Sequence, residues 1–255
     1  MCLNININLS DNLNTMCIDA FREFDSQFRK SYTELGIKYL IEYEFNGENS
    51  VQYISKSTEN KNNIHPYPYS IFKIHDEFSF ISQDIKYVTG ILHLLQPYIN
   101  NTFYDNGIYH QTNEDHRYLM FANFGLQSIY NFWDRLGDLL FLFFQTGLNK
   151  DQIYFGRVIN NLPDQWKMTQ PYLDLKELYD QEVKIFLNTR HETVHHFQLE
   201  CKYYWGNVEY RNDLPKLKEL NEEKFSYPEK MTKALDNCIK AYKLTLDLIS
   251  QLPDK

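Results

Sequence analysis

The segment of residues 188–197 combines side chains that can carry out acid–base chemistry at a phosphate. Three of the chain's eight histidines, His191, His195 and His196, fall within six residues, and Arg190 directly precedes them. Histidine exchanges a proton near neutral pH because its unperturbed pKa is about 6.5. Arginine presents a planar fork of donors that matches two phosphate oxygens. These residue types together are suited to cleaving a phosphodiester.

RNA is cleaved when its own 2′-OH attacks the adjacent phosphorus and expels the 5′ oxygen. The reaction needs a base for the 2′ proton, an acid for the leaving oxygen and a cation that stabilises the phosphorane. His195 is suited to the proton transfers and Arg190 to the charge, so this route requires no metal. One copy of the segment supplies one acid–base group, and a second copy across a two-fold axis would supply the other.

The spacing of Arg190 and His195, with the polar His191 directly after the arginine, is an R-x4-H pattern. In this pattern the chain resembles the HEPN superfamily of all-helical proteins. The resemblance implies a metal-independent endoribonuclease without a cofactor. It also implies a homodimer that shares one RNA-cleaving site, and a HEPN-like core over about residues 78–252. It implies that Arg190 binds the phosphate, that His195 is the acid–base residue and that His191 orients its neighbours or the substrate. Many relatives act as toxins or in phage defence, which implies an inhibitory protein partner.

The same residues fit a second pattern, because the run from His191 to His195 reads H-E-T-V-H. This H-E-x-x-H run resembles the zincin metallopeptidases, in which both histidines bind Zn²⁺ while the glutamate, here Glu192, polarises a water. A third ligand would come from one of three downstream carboxylates, Glu219, Glu222 and Glu223. Zincins also align a peptide on an upstream sheet, for which only one short hairpin is available here.

A third alternative is a helical module that binds nucleotides or proteins without catalysis. The histidines would then be solvated, and Arg190 would snorkel or pair with Asp134 or Asp138 of the preceding helix. If one helix spans residues 171–205, Arg190 falls within an apolar arc, where a guanidinium needs an anionic partner. That arc consists of Val183, Phe186, Val194, Phe197 and Cys201.

Apolar residues at helical spacing predict the elements that position these groups. The predicted helices cover residues 13–36, 78–104, 114–143, 171–205 and 226–252, with Gly36 ending the first and a possible break near Pro97. The last helix begins with Ser226-Tyr227-Pro228-Glu229, which predicts a capping box. Asn46-Gly47 between the runs 39–45 and 51–54 predicts a hairpin near residues 38–55, followed by a loop over residues 55–69.

The 255 residues carry a net charge of −8, with 43% hydrophobic residues. This composition predicts a folded all-α protein, a single antiparallel multi-helix bundle over residues 1–255, and excludes a protein that coats nucleic acid by bulk charge. Any RNA contact must therefore be local. The four cysteines lack a C-x-x-C spacing, and the chain shows no leader and no apolar run of ~20 residues, so we expect a cytoplasmic protein without membrane contact.

Overall fold

The structure, a computed structural model, describes residues 19, 22–23, 26, 28–30, 32–64, 71–100, 111–184, 186–187 and 198–255. It divides into two compact units, residues 1–37 and residues 38–255. In the first unit the described positions from 19 to 34 are helical (α1), as predicted, and residues 13–18 lie outside the described set. Gly36 follows this helix with φ of +66°, a conformation that favours glycine, so the predicted end is confirmed.

Within the part of the second unit that the structure describes, the regular structure is helical apart from one hairpin, which confirms the all-α class. That the whole chain forms a single domain stays a prediction. The described helices of this unit are α2 (Ser50–Thr58), α3 (Ile71–Leu95), α4 (Asn113–Phe143), α5 (Phe155–Asn160), α6 (Asp164–Lys167), α7 (Gln170–Leu178), α8 (Leu199–Glu209), α9 (Leu214–Phe225) and α10 (Tyr227–Ser250). Short 3-10 turns cover Leu40–Glu42, Gln96–Tyr98 and Lys150–Gln152.

Three long helices, α3, α4 and α10, pack together and form the core of this unit. The shorter helices cover them: α2 and α7 contact α10, and α5 and α8 contact α4. The apolar seam predicted for α4 is buried along its length, which confirms that helix within one residue of its predicted start. The buried seam consists of Leu119, Ala122, Leu126, Ile129, Trp133, Leu136, Leu140 and Phe143.

The C-terminal helix α10 forms as predicted, with Pro228 in its first turn, but the predicted capping box is wrong. Ser226 has helical dihedral angles (φ −85°, ψ −4°), and its hydroxyl donates to the Glu223 carbonyl at 2.7 Å. Because Ser226 also ends α9, its side chain bonds backward to that helix and does not cap α10.

The hairpin forms around Asn46-Gly47, where both residues have positive φ, as a type I′ turn requires. Its strands are only β1 (Glu44–Phe45) and β2 (Glu48–Asn49), paired in antiparallel fashion. The predicted second strand over residues 51–54 is wrong, because Asn49 caps α2 by accepting from the Gln52 amide at 2.9 Å. The helix also includes residues 55–58, which the sequence analysis assigned to a loop.

Helix α3 begins seven residues before its predicted start at Phe78, and it ends at Leu95 before the turn that contains Pro97. The break near Pro97 is therefore confirmed, whereas residues 99–100 are not helical and residues 101–104 lie outside the described set. The earlier start places His75 inside the helix and buries it. His75 is 2% exposed, its Nε2 lies 2.9 Å from Ser50 Oγ, and burial lowers its pKa.

A buried ion pair between Asp115 and Lys224 joins the start of α4 to the end of α9, and both side chains are 0% exposed. Asp115 also accepts from the backbone amides of Asn100, at 3.1 Å, and Thr112, at 2.9 Å. Lys224 Nζ donates to the Asn100 carbonyl at 2.8 Å, and burial lowers the lysine's pKa. This pair therefore ties both ends of the α3–α4 connection to the α9–α10 corner.

We expect Lys224→Met to lower the free energy of unfolding by about 3–5 kcal/mol, because it leaves a buried carboxylate without its cation. Urea denaturation measures the change, and Lys218→Met, at an exposed position of the same helix, is the matched control. Adding Asp115→Asn to Lys224→Met should recover part of the loss, since the uncompensated charge is then gone. A loss below about 1 kcal/mol would show that the pair contributes little.

Candidate functional site

The predicted site residues Arg190, His191 and His195, together with Glu192, lie outside the described residues. Their roles therefore stay predictions. The structure does describe the chain on both sides of the segment 188–197, and these two flanks determine where the segment begins and ends.

The chain before the segment is anchored on α4 by aromatic contacts. After α7 it continues as a π-helical turn over Tyr179–Val183, a feature frequent at functional sites. The Tyr179 ring packs against Trp133 of α4 at 5.9 Å and against Phe155 of α5 at 5.0 Å between centroids. Gly156 permits this approach, because a Cβ there would collide with Tyr179 Oη.

The chain after the segment begins a new helix, so the predicted continuous helix over residues 171–205 is wrong. Gln198 is extended (φ −61°, ψ 156°) and is the N-cap of α8. Because a new helix starts here, a different set of residues faces the core. Helix α8 buries Leu199, Tyr203 and Gly206, whereas Cys201 is exposed. The arc that was predicted to surround Arg190 therefore does not extend to Cys201.

This second flank also rests on α4. Asn123 Nδ2 of α4 donates to Glu200 Oε2 at 3.2 Å, and Lys202 Nζ donates to Glu223 Oε1 of α9 at 2.6 Å. Asn123 and Trp133 are ten residues apart, which is about 15 Å along the helix. One stretch of α4 thus holds the chain both before and after the motif segment.

A cavity of about 250 Å³ opens between this stretch of α4, residues 181–183 and 186, and α10. Sequence reasoning named Trp133, Val183 and Phe186 only as members of apolar stripes and missed the cavity. A stripe shows which face of a helix is covered, but it does not show where packing leaves a space. The apolar part of the wall consists of Leu126, Ile129, Trp133, Val183, Phe186, Tyr227 and Ala234.

The charged residues that follow Trp133 in α4 form a cluster with α3. Arg135 Nη1 lies 2.8 Å from Asp138 Oδ2, and Arg135 Nε lies 3.6 Å from Glu77 Oε1. Burial raises the pKa of Asp138 to about 6, and Asp134 and Glu77 act in the same direction against the effect of Arg135. Contacts of Asp134 or Asp138 with the motif residues stay predictions.

The described residues contain no group of three His, Cys, Asp or Glu side chains that could hold a metal ion. Glu223, one of the three ligands considered for zinc, instead accepts from Lys202. The paired histidines of that hypothesis lie outside the described set.

A protein-family model described as HEPN_Cthe2314-like HEPN matches residues 10–255, almost the whole chain. The chain belongs to this HEPN family. No curated protein and no solved structure matches it significantly.

HEPN families generally comprise ribonucleases and nucleotide-binding modules. Membership confirms the predicted resemblance, and it agrees with the helical fold described above. In this HEPN chain the R-x4-H motif lies between two flanks that are both anchored on α4. Among the described helices, none is long and apolar enough to cross a membrane.

We expect Asp138→Asn to stabilise the protein at about pH 7.5 and to have little effect near pH 4. The folded protein raises the pKa of Asp138 from its ordinary 3.8 to about 6. The charged form therefore opposes folding, and this cost is absent below the unfolded pKa and grows as pH rises toward 6. Removing the charge relieves that cost only at the higher pH.

Urea denaturation at both pH values measures the difference, with the exposed Asp164→Asn as the control. Equal stabilisation at both pH values, or a loss at both, would contradict the assignment of a raised pKa to Asp138.

Proposed function

We propose that this HEPN protein is a metal-independent endoribonuclease that cleaves RNA by 2′-OH attack. Arg190 binds and stabilises the phosphate, His195 transfers the proton, and His191 orients its neighbours or the substrate. Family membership over residues 10–255 carries this proposal, because it gives a functional context to the arginine and histidine of the R-x4-H motif. A toxin or phage-defence role, restrained by an inhibitory protein, belongs to the same proposal.

The net charge of the chain limits how the protein can bind RNA. With a net charge of −8, the protein as a whole repels a polyanion, so binding depends on a restricted cationic site. We therefore propose that affinity for bulk RNA is weak and falls steeply with salt.

We expect the purified protein to cleave mixed RNA in excess EDTA and to leave 2′,3′-cyclic phosphate ends. His195→Ala should slow this cleavage by at least about 100-fold, as expected for the loss of a general acid–base group. His93→Ala is the matched control, because His93 is a partly exposed histidine of α3 that lies outside the motif and contacts neither of its flanks. Gel analysis of labelled RNA measures the rates.

Metal content is measured in parallel to separate this mechanism from the zincin alternative. One tightly bound zinc per chain, with peptide hydrolysis lost in EDTA, would favour the metallopeptidase. Neither activity in folded protein would favour the non-catalytic module.

The surface next to the motif segment supports the proposed homodimer. Helix α8 is apolar on both faces, since Tyr204, Trp205 and Val208 are exposed while Leu199 and Tyr203 are buried. Trp205 is 59% exposed, and its ring contacts Tyr204 at 5.3 Å between centroids. An exposed apolar patch of this kind marks an interaction surface. A second copy docked there would bring a second motif segment close to the first.

We expect dimers from wild-type and His195→Ala chains, co-expressed in equal amounts, to cleave RNA at about one quarter of the wild-type rate per dimer. A shared site needs His195 from both subunits, and random pairing makes about one dimer in four fully wild-type. The rate per dimer is measured on the purified mixture, whose pairing is checked by differential tags. A value of about one half would show that each subunit acts independently.

A further inference from the structure

We infer that the cavity between α4, residues 181–183 and 186, and α10 binds one nucleobase of the RNA, next to the phosphate that is cleaved. This assignment rests on the proposed function, which supplies the RNA, but it concerns residues outside the motif.

The walls of the cavity suit a flat ring. Phe186 is partly exposed and offers a ring on which a base can stack irrespective of sequence, whereas Trp133 and Tyr227, 1% and 2% exposed, line the inner wall. At about 250 Å³ the space is smaller than the roughly 300–1,000 Å³ of sites for whole small molecules, so it suits a single base. The amides of Gln181 and Asn237 also line it, and amides both donate and accept at base edges.

Among the charged side chains around the cavity, Lys230 is the cation that can bind a phosphate. Lys233 pairs with Glu182 at 2.5 Å, and Glu223 accepts from Lys202 at 2.6 Å, so these four charges compensate one another. Lys230 has no carboxylate within ion-pair distance in the described part of the chain, and its Nζ lies 5.7 Å from the centre of the Tyr227 ring. A flat ring linked to an anion therefore matches the cavity better than a neutral apolar ligand.

The place of the cavity in the chain connects it to the cleavage motif. Phe186 is four residues before Arg190, which limits the distance between their Cα atoms to at most about 14 Å. A base in the cavity and the adjoining phosphate at Arg190 can therefore belong to the same short stretch of RNA.

Isothermal titration of the full-length His195→Ala protein with AMP, GMP, CMP and UMP tests the inference without cleavage. At least one nucleotide should bind, and Phe186→Ala should weaken it about fivefold or more, as loss of a stacking surface does. Lys230→Gln should weaken the nucleotide but leave the corresponding nucleoside unchanged. Phe80→Ala and Lys240→Gln, exposed positions on α3 and α10 away from the cavity, are the matched controls and should have no effect.

Three results would overturn the inference: no nucleotide binds, ribose 5-phosphate binds as tightly as the nucleotides, or the two cavity variants bind like their controls. Because Lys230 is exposed, its variant keeps the test valid if Phe186→Ala fails to fold. Nucleotide binding with the expected variant effects, but without RNA cleavage by the wild type, would refute the proposed function alone. RNA cleavage that depends on His195, without nucleotide binding in the cavity, would refute this inference alone.

Discussion

The buried contact between Asp115 and Lys224 fixes how α4 meets the α9–α10 corner in the second unit. Two charges removed from water are tolerated only where hydrogen bonds satisfy them, and here the backbone of Asn100 and Thr112 completes the set. The Tyr118 hydroxyl donates to the Lys224 carbonyl at 2.8 Å, so the same lysine is held through its backbone as well. These contacts set the register of α4 against the α9–α10 corner, and Tyr227 of the cavity lies only three residues beyond Lys224.

Helix α4 also supports the chain on both sides of the motif. Its middle turns hold Tyr179, nine residues before the segment, and Glu200, three residues after it, so the chain on both sides of the segment is attached to one helix. A site on rigid supports keeps catalytic groups in place more precisely than a free loop does. The partly buried Asp138 on the same helix is costly for folding, and such perturbed groups cluster at functional sites. The proposed ribonuclease and its base-binding cavity thus share one supporting helix.

Predictions from the sequence were correct where an apolar pattern repeats over many helical turns. They were wrong where a single contact determines the local structure. The seams of α4 and α10 were predicted because seven or eight apolar residues in register cannot arise from one local preference. The strand predicted over residues 51–54 is instead helical, because one side chain, Asn49, caps a helix there. The break at Gln198 was missed for a related reason. No proline or glycine marks it, and the new phase of α8 follows from docking Leu199 and Tyr203 into the core.

The sequence by itself determined the helical class, the hairpin turn at Asn46-Gly47 and the R-x4-H motif of a HEPN protein, because periodicity, turn chemistry and residue spacing are local properties. Only the tertiary structure decided that both flanks of the motif rest on α4, that His75 is buried, and that Trp133, Phe186 and Tyr227 line one cavity. Those facts join residues far apart in the chain. Their contacts depend on how helices pack, which no single stretch of sequence encodes.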